Sequence, residues 1–469
     1  MPAMDAIPPF DAELLRRYDR PGPRYTSYPT APQFTPDFDE AAFREVAHRS
    51  NEDPIPRPLS LYLHVPYCFS PCFYCGCNRV ITRDKARGAS YLERLLREVE
   101  RVAPLFDRDR EVIQLHFGGG TPNFLDPGQL GEVIQALGHH FSFSRRAGRD
   151  FSIEIDPRFI DPAGIGRLAE LGFNRASLGV QDFDPEVQKA VNRIQGVEET
   201  LAIVQACRDS GFGSVNIDLI YGLPRQTLAG FGRTLDTVLD VRPDRLAVYG
   251  YAHLPALFKP QRQIQDADLP SPDQKLALLQ LAIQRLSAAG YVYIGMDHFA
   301  LPGDELAQAQ ARGDLHRNFM GYTTHAESDL VGLGVSAISH IGDSFSQNPR
   351  DLPGWEAAID AGRLPVWRGM HLDADDVLRA DVIQSLMCHG VIDIAAVEAR
   401  HEIDFRRYFA ADIQRLETLV ADGLVVRSTR GYQATSRGRL LMRIIAMCFD
   451  RYLHADVAGD QGTRYSKAI

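Results

Sequence analysis

The chain has 469 residues, 45% of them hydrophobic and 24% charged, which is an ordinary balance for a globular protein of two or three domains. Its formal net charge of −10 argues against a nucleic-acid partner, because binding to phosphates needs a basic face. No stretch approaches the roughly twenty apolar residues of a membrane span. The seven cysteines are few and odd in number and no apolar secretory segment opens the chain, so we expect reduced thiols and a cytoplasmic protein.

Residues 1–52 are predicted to form an N-terminal arm, because they lack the strand–helix alternation of the chain that follows. A short helical candidate precedes residues 21–29, whose prolines exclude helix and favour an extended path. This segment contains Arg24, Tyr25 and Tyr28 between its prolines. An exposed linker is the simpler interpretation, and an arm that lies over an active site is the interpretation that we carry forward.

Residues 53–300 alternate between apolar strand candidates and helical candidates. The strand candidates are residues 59–65, 112–117, 151–155, 175–180, 214–220 and 245–251. Strands that alternate with helices predict a parallel sheet with right-handed crossovers. Six such units, rather than eight, predict an α/β fold whose core is an incomplete (β/α)6 barrel.

The rest of the chain is predicted to cover this barrel. Residues 301–370, rich in glycine and aspartate, are predicted to be an irregular capping extension, and residues 371–469 a mainly helical C-terminal domain with a small hairpin. The helices and hairpin predicted for residues 371–469 could form a winged-helix module, which would favour DNA binding. However, 11 Lys and Arg stand against 12 Asp and Glu between residues 371 and 454, so no basic recognition face is evident.

Four cysteines lie within ten residues directly after the first predicted strand: Cys68, Cys72, Cys75 and Cys77. The first three have the spacing C-x3-C-x2-C. Three thiolates on one loop can hold three irons of a cubane cluster, because cysteine thiolates ligate such clusters. The fourth iron then lacks a protein ligand and can bind a cofactor, which is the pattern of a radical S-adenosylmethionine (SAM) enzyme.

Two other interpretations of these cysteines are less favoured. A structural zinc site usually collects two separated pairs of ligands around a tetrahedral ion, and no second pair follows here. A disulfide framework is disfavoured by the sparse, odd number of cysteines. The remaining cysteines lie in apolar, helix-like contexts and are interpreted as buried core thiols: Cys207, Cys388 and Cys448.

Glycines and polar residues occur at the ends of the predicted strands, where functional groups gather in barrels of parallel strands. They are Gly118 to Pro122 after the second strand, Glu154 and Asp156 after the third, Gln181 and Asp182 after the fourth, Asp218 within the fifth and Ala252 and His253 after the sixth. One carboxylate in an apolar strand is usually a structural anchor, since a buried charge needs a partner. Several carboxylates at the same end of the barrel predict a polar ligand there. The glycines predict that the methionine part of SAM approaches the backbone closely.

The reaction expected from this site begins with SAM bound to the open iron through its amino and carboxylate groups. One electron from the reduced cluster would cleave SAM to methionine and a 5′-deoxyadenosyl radical. A barrel interior under an arm and a C-terminal cover would keep water from this radical. The cofactor supplies the chemistry and the protein positions it.

Motifs along nearly the whole chain carry a resemblance to a known family. They are GPRYTSYP at 22–29, the cysteine motif at 68–77, GGGTP at 118–122, GVQDF at 179–183, NIDLIYGLP at 216–224, YAHLP at 251–255, GMDHF at 295–299, LHRNF at 315–319 and GVSAIS at 334–339. The chain closely resembles the oxygen-independent coproporphyrinogen III oxidases, also called coproporphyrinogen dehydrogenases, of the radical SAM superfamily. The arm motif and the fourth cysteine discriminate best.

The resemblance implies oxidative decarboxylation of two propionate side chains of coproporphyrinogen III to vinyl groups, which gives protoporphyrinogen IX for haem synthesis. Each turnover would abstract one β-hydrogen, release carbon dioxide and pass the remaining electron to an unknown acceptor. A low-potential donor of the flavodoxin or ferredoxin type would reduce the cluster. We expect a monomer without nucleic-acid or membrane partners.

The resemblance also implies the residues of the site. Cys68, Cys72 and Cys75 would hold a 4Fe-4S cluster, and Cys77 would not be a ligand. The first of two SAM molecules would contact Tyr62, Gly119, Glu154 and Ile338, and the second would contact Tyr74, Gly120, Thr121, Gln181, Arg193, Asp218 and Ala252. Cys77 and Tyr62 are the candidate catalytic residues. Arginines that pair carboxylates and aromatic rings that pack on pyrroles are the substrate candidates: Arg24, Tyr25, Tyr28, Arg317, Phe319 and Tyr322.

Two positions depart from the family pattern. Tyr74 stands where Phe is more common, and Met320 stands where Gln is common, which would remove one polar contact to the second SAM. The nearest rival function is that of a haem chaperone that shares the cysteine loop, but such proteins typically lack the arm motif and Cys77. A DNA-binding regulator with a redox-sensing cluster is the third alternative, and the balanced charge of the C-terminal region speaks against it.

Overall fold

The computed structural model describes residues 10–455 and 465–467 of the chain. Parts of the expected arm and of the expected C-terminal domain lie outside the described residues, at positions 1–9, 456–464 and 468–469. Within the described part, no helix combines the length and the apolar character that a membrane crossing requires.

The chain divides into two compact units. The first, called the sheet unit, consists of residues 34–274 and 327–371. The second, called the terminal unit, consists of the described residues within 1–33, 275–326 and 372–469.

The strands are numbered in chain order. They are β1 Leu59–Val65, β2 Tyr67–Cys68, β3 Val80–Ile81, β4 Glu111–Gly119, β5 Ser142–Phe143, β6 Asp150–Ile155, β7 Arg175–Gln181, β8 Ser214–Tyr221, β9 Arg245–Gly250, β10 Val292–Gly295, β11 His298–Ala300, β12 His316–Asn318, β13 Gly321–Thr323, β14 Asp329–Leu333, β15 Ile338–Ile341, β16 Ser344–Gln347, β17 Arg368–His371, β18 Val391–Asp393, β19 Val425–Arg427 and β20 Gly431–Ala434.

The α-helices are numbered in the same way. They are α1 Ala12–Tyr18, α2 Glu40–Arg49, α3 Lys85–Val102, α4 Pro127–His140, α5 Pro162–Glu170, α6 Pro185–Ala190, α7 Val197–Asp209, α8 Leu228–Val241, α9 Pro272–Ala288, α10 Glu305–Arg312, α11 Leu352–Asp360, α12 Ala374–His389, α13 Ile394–His401, α14 Phe405–Tyr408, α15 Ala410–Ala421, α16 Met442–Ala446 and α17 Arg451–Ala455.

The sheet unit is built on one mixed sheet with the strand order β9-β8-β7-β6-β4-β1-β14-β15-β16-β17. The strands from β9 to β14 in this order are parallel, and β15, β16 and β17 continue the sheet antiparallel. All the strands predicted from the sequence are confirmed as β1, β4, β6, β7, β8 and β9. Helices follow the parallel strands and give the α/β character, and aspartate side chains cap several of them, as at Asp126 before α4 and Asp161 before α5.

The sequence predicts irregular structure for residues 301–370, and this prediction is wrong. The segment contains β12 to β17 together with α10 and α11. Its β14 pairs in parallel register with β1, for example Val331 with Leu61. These strands have only three to five residues, and that length is too short for alternation of polar and apolar residues to reveal them.

The central parallel strands have one apolar and one polar face. In β6, β7 and β8 fully buried residues alternate with partly exposed residues. Ile153, Leu178 and Ile217 are at most 1% exposed and form the core on one side of the sheet. Because side chains alternate along a strand, Glu154 and Asp218 project from the opposite face. The polar face therefore carries the carboxylates that the sequence places at the strand ends.

The terminal unit has a helical core of its own, to which α12, α14, α15 and α16 contribute. The buried residues at its centre include Leu378, Val382, Leu386, Phe405, Phe409, Leu416 and Phe449. The predicted hairpin is confirmed as β19 and β20, with β18 as the third strand. The sequence predicts one last helix over residues 438–453, but the structure has two, α16 and α17. The Asp450 carboxylate accepts the N–H groups of Tyr452 and Leu453 and caps the second of them.

Candidate active site

The cysteine loop follows β1 directly and opens with β2, which pairs with β3 so that Cys68 lies opposite Ile81. Cys68 and Cys72 are buried, Cys75 is half-buried, Cys77 is exposed, and all four are free thiols. The four cysteines line one cavity of about 180 Å³ in the sheet unit.

Hydrogen-bond donors point at the sulfur atoms of three cysteines. The Thr121 hydroxyl donates to Cys68 Sγ at 3.2 Å, and the Cys77 N–H donates to Cys75 Sγ at 3.4 Å. Arg193 Nη1 lies 3.6 Å from Cys72 Sγ. Three thiols that accept N–H and O–H groups are a suitable donor set for an iron–sulfur cluster, because hydrogen bonds to the sulfurs are part of how proteins tune such clusters.

The thiols differ in how readily they ionise. A hydrogen bond from the Cys77 thiol, together with the charge of Arg79, lowers the pKa of Cys75 to about 6 in spite of burial. The same contact raises the pKa of Cys77 well above its usual value, so the shared proton stays on Cys77. Burial raises the pKa of Cys68 to about 11, although the Thr121 hydroxyl opposes the shift.

Arg79 holds the backbone of the cysteine loop. Its guanidinium donates to the carbonyl oxygen of Cys72 at 3.2 Å and to those of Cys75 and Cys77 at 3.4 Å each. Across residues 10–455 and 465–467, no three His, Cys, Asp or Glu side chains are grouped closely enough to hold a single metal ion.

The glycines after β4 are required by packing against this loop. A Cβ atom on Gly119, whose φ is +118°, would lie 2.8 Å from Val65 O, and one on Gly120 would lie 2.8 Å from Pro66 O. The Gly120 N–H also donates to Val65 O at 2.8 Å. The glycine run therefore packs the end of β4 against the start of the cysteine loop. The sequence predicts that a ligand requires these glycines, whereas in the structure it is the backbone of the cysteine loop that leaves no space for a side chain.

Glu154 is the centre of a polar network on β6. Its Oε2 accepts the Gly119 N–H at 3.3 Å, and its Oε1 lies 3.3 Å from His116 Nε2. The ring of His116 stacks on that of Tyr62 with centroids 5.8 Å apart. Burial and then the Glu154 charge raise the pKa of Tyr62 well above its usual value, so its phenol stays neutral.

Asp156 joins two arginines beside the cysteine loop. Arg158 Nη2 lies 2.6 Å and Arg193 Nη1 lies 3.2 Å from Asp156 Oδ2. Burial alone would raise the pKa of Asp156, but the charges of Arg193 and Arg158 lower it below its usual value. Arg193 also donates to Gly179 O. The network holds a buried guanidinium against the end of β7.

Asp218 lies in a second network on β7 and β8. The Asn216 amide donates to Asp218 Oδ1 at 2.9 Å, and the Ser177 hydroxyl donates to Asp218 Oδ2 at 3.2 Å. Burial and the nearby Glu154 charge raise the pKa of Asp218 to about 6. Gln181, at the end of β7, has a φ of +72°, a strained conformation for a residue with a side chain.

Gln261 links two further predicted SAM contacts. Its side-chain amide donates to the Tyr74 carbonyl at 2.9 Å and to the Ala252 carbonyl at 3.2 Å. The loops that follow β1 and β9 are thus tied together. Ile338 begins β15, and its backbone packs so closely on Gly332 that a Cβ there would lie 2.5 Å from Ile338 O.

Most of the predicted cluster and SAM residues line the cavity. Those that do are Cys68, Cys72, Tyr74, Cys75, Cys77, Gly119, Gly120, Thr121, Glu154, Gln181, Arg193 and Asp218. Tyr62, Ala252 and Ile338 do not line it.

The predicted substrate residues all belong to the terminal unit. Tyr25 is buried and its hydroxyl donates to Asp450 Oδ2 at 2.9 Å. Tyr28 is also buried and its hydroxyl accepts the Arg451 N–H at 3.1 Å. Both tyrosines therefore have structural partners.

The other substrate candidates differ in their partners. Arg24 forms an ion pair with Asp297. The Arg317 guanidinium lies 4.7 Å from the ring centroid of Tyr322. Arg317 is buried, and its Nε and Nη1 have no hydrogen-bond partner among the described residues. Phe319 is half-buried.

Several residues of these networks were not predicted from the sequence. They are His64, Arg79, His116, Arg158, Ser177, Asn216 and Gln261. Alternation along β4, β7 and β8 could have revealed His116, Ser177 and Asn216, because each shares a strand face with a predicted residue. Arg79, Arg158 and Gln261 lie outside the strands, and no local pattern marks them.

Two family models match the chain. The radical SAM superfamily model matches residues 62–238, and the HemN C-terminal domain model matches residues 372–441.

Similar proteins extend over nearly the full length of the chain. The oxygen-independent coproporphyrinogen III oxidase of Pseudomonas aeruginosa is 54% identical over 95% of this chain and 96% of its own length. The protein of the same name from Escherichia coli is 49% identical over 97% of this chain and 98% of its own length. The solved structure of coproporphyrinogen III oxidase from Escherichia coli, described as a radical SAM enzyme, superposes with a TM-score of 0.90 at 48% identity and covers 95% of this chain and 100% of that one. The chain therefore belongs to the family of oxygen-independent coproporphyrinogen III oxidases.

Proposed function

We propose that this protein decarboxylates two propionate side chains of coproporphyrinogen III to vinyl groups and forms protoporphyrinogen IX with a 5′-deoxyadenosyl radical derived from SAM. The observation that carries the proposal is the convergence of Cys68, Cys72 and Cys75 with Glu154 and Arg193 on one cavity. Similarity over the whole length of the chain to proteins named for this activity supports it.

Cys68, Cys72 and Cys75 are the proposed ligands of a 4Fe-4S cluster whose fourth iron has no protein ligand. When bound, the cluster supplies the electron that cleaves SAM into methionine and the 5′-deoxyadenosyl radical. Arg79 keeps the loop in the conformation for this role through its bonds to three carbonyl groups. Cys77 lies beside the ligands without being one.

The charged groups of the cavity are suited to the amino-acid part of SAM. Glu154 can accept the ammonium group, and Arg193 can pair a carboxylate because it remains charged at any relevant pH. We assign the first SAM to Tyr62, Gly119, Glu154 and Ile338, and the second to Tyr74, Gly120, Thr121, Gln181, Arg193, Asp218 and Ala252. Met320 stands where the family commonly has Gln, which would remove one polar contact to the second molecule, and the Met320 N–H donates to Asn318 Oδ1 at 2.9 Å.

Tyr62 and Cys77 are the proposed catalytic residues. Both hold their protons, and the negative charge of Glu154 contributes to this for each of them. A neutral phenol and a neutral thiol next to the cysteine loop can donate a hydrogen bond or a proton at the site.

Arg24, Tyr25, Tyr28, Arg317, Phe319 and Tyr322 remain the proposed substrate contacts. Arg317 is the best supported of them, because two of its buried N–H positions have no partner among the described residues and guanidinium groups pair carboxylates bidentately. Tyr25 and Tyr28 have the least support, because Asp450 and Arg451 already use their hydroxyls and both rings are buried in the core of the terminal unit.

We further propose that β1, β4, β6, β7, β8 and β9, with their helices, curve into an incomplete (β/α)6 barrel. We also propose that residues 1–52 form an arm, that residues 301–370 extend the barrel and that residues 371–469 form a mainly helical C-terminal domain. The protein would work in the cytoplasm as a monomer and receive electrons from a flavodoxin or a ferredoxin.

Anaerobic incubation of the reconstituted protein with SAM, a strong reductant and coproporphyrinogen III tests the function. We expect vinyl product, methionine and 5′-deoxyadenosine, with iron and labile sulfide in the ratio of a 4Fe-4S cluster. Stoichiometric zinc without sulfide, or SAM left intact under strong reduction, would show that the proposal is wrong.

A further inference from the structure

The proposed reaction needs an electron from outside the protein, and one surface beside the cysteine loop is suited to receive it. Phe69 follows Cys68 directly, and its ring contacts that of Phe159 at a tilt of 36°, with centroids 4.3 Å apart. Phe159 is 39% exposed. A continuous aromatic contact therefore runs from a proposed cluster ligand to the surface.

The centre of this surface is apolar. Ile81, which pairs with Cys68 across β2 and β3, is 40% exposed. Two large exposed apolar residues therefore lie near this part of the loop: Ile81 is paired with Cys68, and Phe159 contacts Phe69, the next residue along the chain. Scattered apolar residues on a surface need no explanation, but an apolar group with a charged rim is typical of an interaction site.

The rim of this surface is basic. Residues 79–87 contain four arginines or lysines and one acidic residue, whereas the whole chain has a net charge of −10. Arg83, Lys85 and Arg87 are exposed, and Lys85 Nζ lies 4.6 Å from the ring centroid of Phe69. The acidic residues nearby serve as helix caps, Asp84 for α3, Asp126 for α4 and Asp161 for α5.

The floor of this surface is a shallow cavity of about 380 Å³ lined by Phe69, Lys85, Asp126, Arg158, Phe159 and Arg167. Arg158 connects this cavity to the cluster loop, because its Nη2 lies 3.8 Å from Cys72 Sγ. The cavity and the cysteine site thus share a wall.

We propose that the face formed by Phe69, Ile81, Phe159 and the rim Arg83, Lys85 and Arg87 is the docking surface for a small acidic protein that carries one low-potential electron. This inference rests on the proposed function. The carrier is oxidised by one electron and the cluster is reduced by one electron, with no proton transferred. The overall negative charge of the chain repels an acidic carrier, and the basic rim gives such a carrier an attractive approach next to the cluster.

The test compares the rates at which different reductants reduce the cluster of the anaerobic holoenzyme. Each rate is measured in a stopped-flow instrument as the loss of the visible absorbance of the cluster. The variants are the charge reversal Arg83→Glu with Arg87→Glu and the apolar change Phe159→Ser. Their matched controls are Arg145→Glu with Arg146→Glu, on an exposed loop of the sheet unit, and Leu228→Ser, at an exposed apolar position. The reductants are photoreduced flavodoxin and reduced methyl viologen, a small cation that needs no docking.

We expect each docking variant to slow reduction by flavodoxin about tenfold or more at low ionic strength, because mutations at one interface change association rates by one to three orders of magnitude. Reduction by methyl viologen should not be slowed, and the controls should match the wild type with both reductants. High salt should slow the wild type toward the rate of the charge-reversed variant.

Flavodoxin rates equal to wild type in both docking variants, or equal slowing in the controls, would overturn the inference. The failure of the proposed function looks different, because wild-type protein would then leave SAM intact with every reductant. Iron and sulfide content of each variant, measured beforehand, shows that the cluster itself is retained.

Discussion

The Tyr91 hydroxyl donates a hydrogen bond of 2.6 Å to the carbonyl oxygen of His64, near the end of β1. The same hydroxyl accepts the Val335 N–H at 3.1 Å. One side chain of α3 thus joins the strand before the cysteine loop to the segment between β14 and β15. A Cβ atom on Gly334 would lie 2.4 Å from this hydroxyl, so the segment and the tyrosine leave no space between them.

The change Tyr91→Phe should lower the free energy of unfolding by about 2 kcal/mol, because it leaves the His64 carbonyl and the Val335 N–H buried without a partner. Urea denaturation measures this loss. The control is Tyr408→Phe. The Tyr408 hydroxyl donates to Asp375 at 2.6 Å, but Tyr408 is 42% exposed, so water can replace the lost hydrogen bond. Its loss should be about 0.5 kcal/mol or less. Equal losses in the two variants would contradict the role of the buried hydroxyl.

Glu98 should make stability depend on pH. Its carboxylate is 1% exposed and accepts the Gly334 N–H and the Asn348 amide at 2.8 Å each. The Trp355 indole N–H donates to it at 3.0 Å. Burial raises the pKa of Glu98 from 4.5 to about 7, although these hydrogen bonds oppose the shift.

Because the folded-state pKa of Glu98 lies above the unfolded value, the folded protein binds the proton more tightly. The resulting stabilisation is complete below pH 4.5 and is lost as pH rises to about 7. Denaturation at several pH values should show the free energy of unfolding falling less steeply over this window in Glu98→Gln. The variant Glu100→Gln, at an exposed position on the same helix, should keep the wild-type slope. A wild-type slope in Glu98→Gln would refute the assignment.

Single replacements of the cysteines should separate ligands from the fourth thiol. Cys68→Ser, Cys72→Ser and Cys75→Ser should each lose most iron and labile sulfide, because a cubane held by two thiolates is poorly retained. Cys77→Ser should keep the iron, the sulfide and SAM cleavage, and lose vinyl product. Iron and sulfide analysis together with product chromatography measures this. Iron loss in Cys77→Ser as severe as in the other three would show that it is a ligand.

Gly120→Ala should disrupt the cysteine loop although it adds only a methyl group. The new Cβ would lie 2.8 Å from Pro66 O and 2.9 Å from Tyr67 O, and backbone atoms cannot move aside as a flexible side chain can. We expect most of the iron and sulfide to be lost. The control Gly166→Ala, on α5, has its nearest heavy atom 3.9 Å away and should raise the free energy of unfolding by up to about 1 kcal/mol. Full cluster content in Gly120→Ala would contradict this packing argument.

Sequence patterns were sufficient for features that depend on local spacing. The apolar run Leu59–Val65 predicted β1, because burial on both faces of this strand leaves a continuous hydrophobic signal. The short strand Asp329–Leu333 was missed, although it extends the same sheet, because its five residues carry too weak a pattern. The carboxylates Glu154 and Asp218 were found because each interrupts an apolar strand.

The sequence by itself determined the cysteine spacing, the strand order along the chain and the full-length resemblance to one family. It could not determine which side chains from separate strands meet, because such contacts depend on register and crossover geometry. Only the tertiary structure brought Asp156, Arg158 and Arg193 together beside Cys72, and only it tied Tyr91 to His64 and Val335. The difference is physical, since ligand spacing on one loop is set by the covalent chain whereas contacts between strands are set by the packing of the folded sheet.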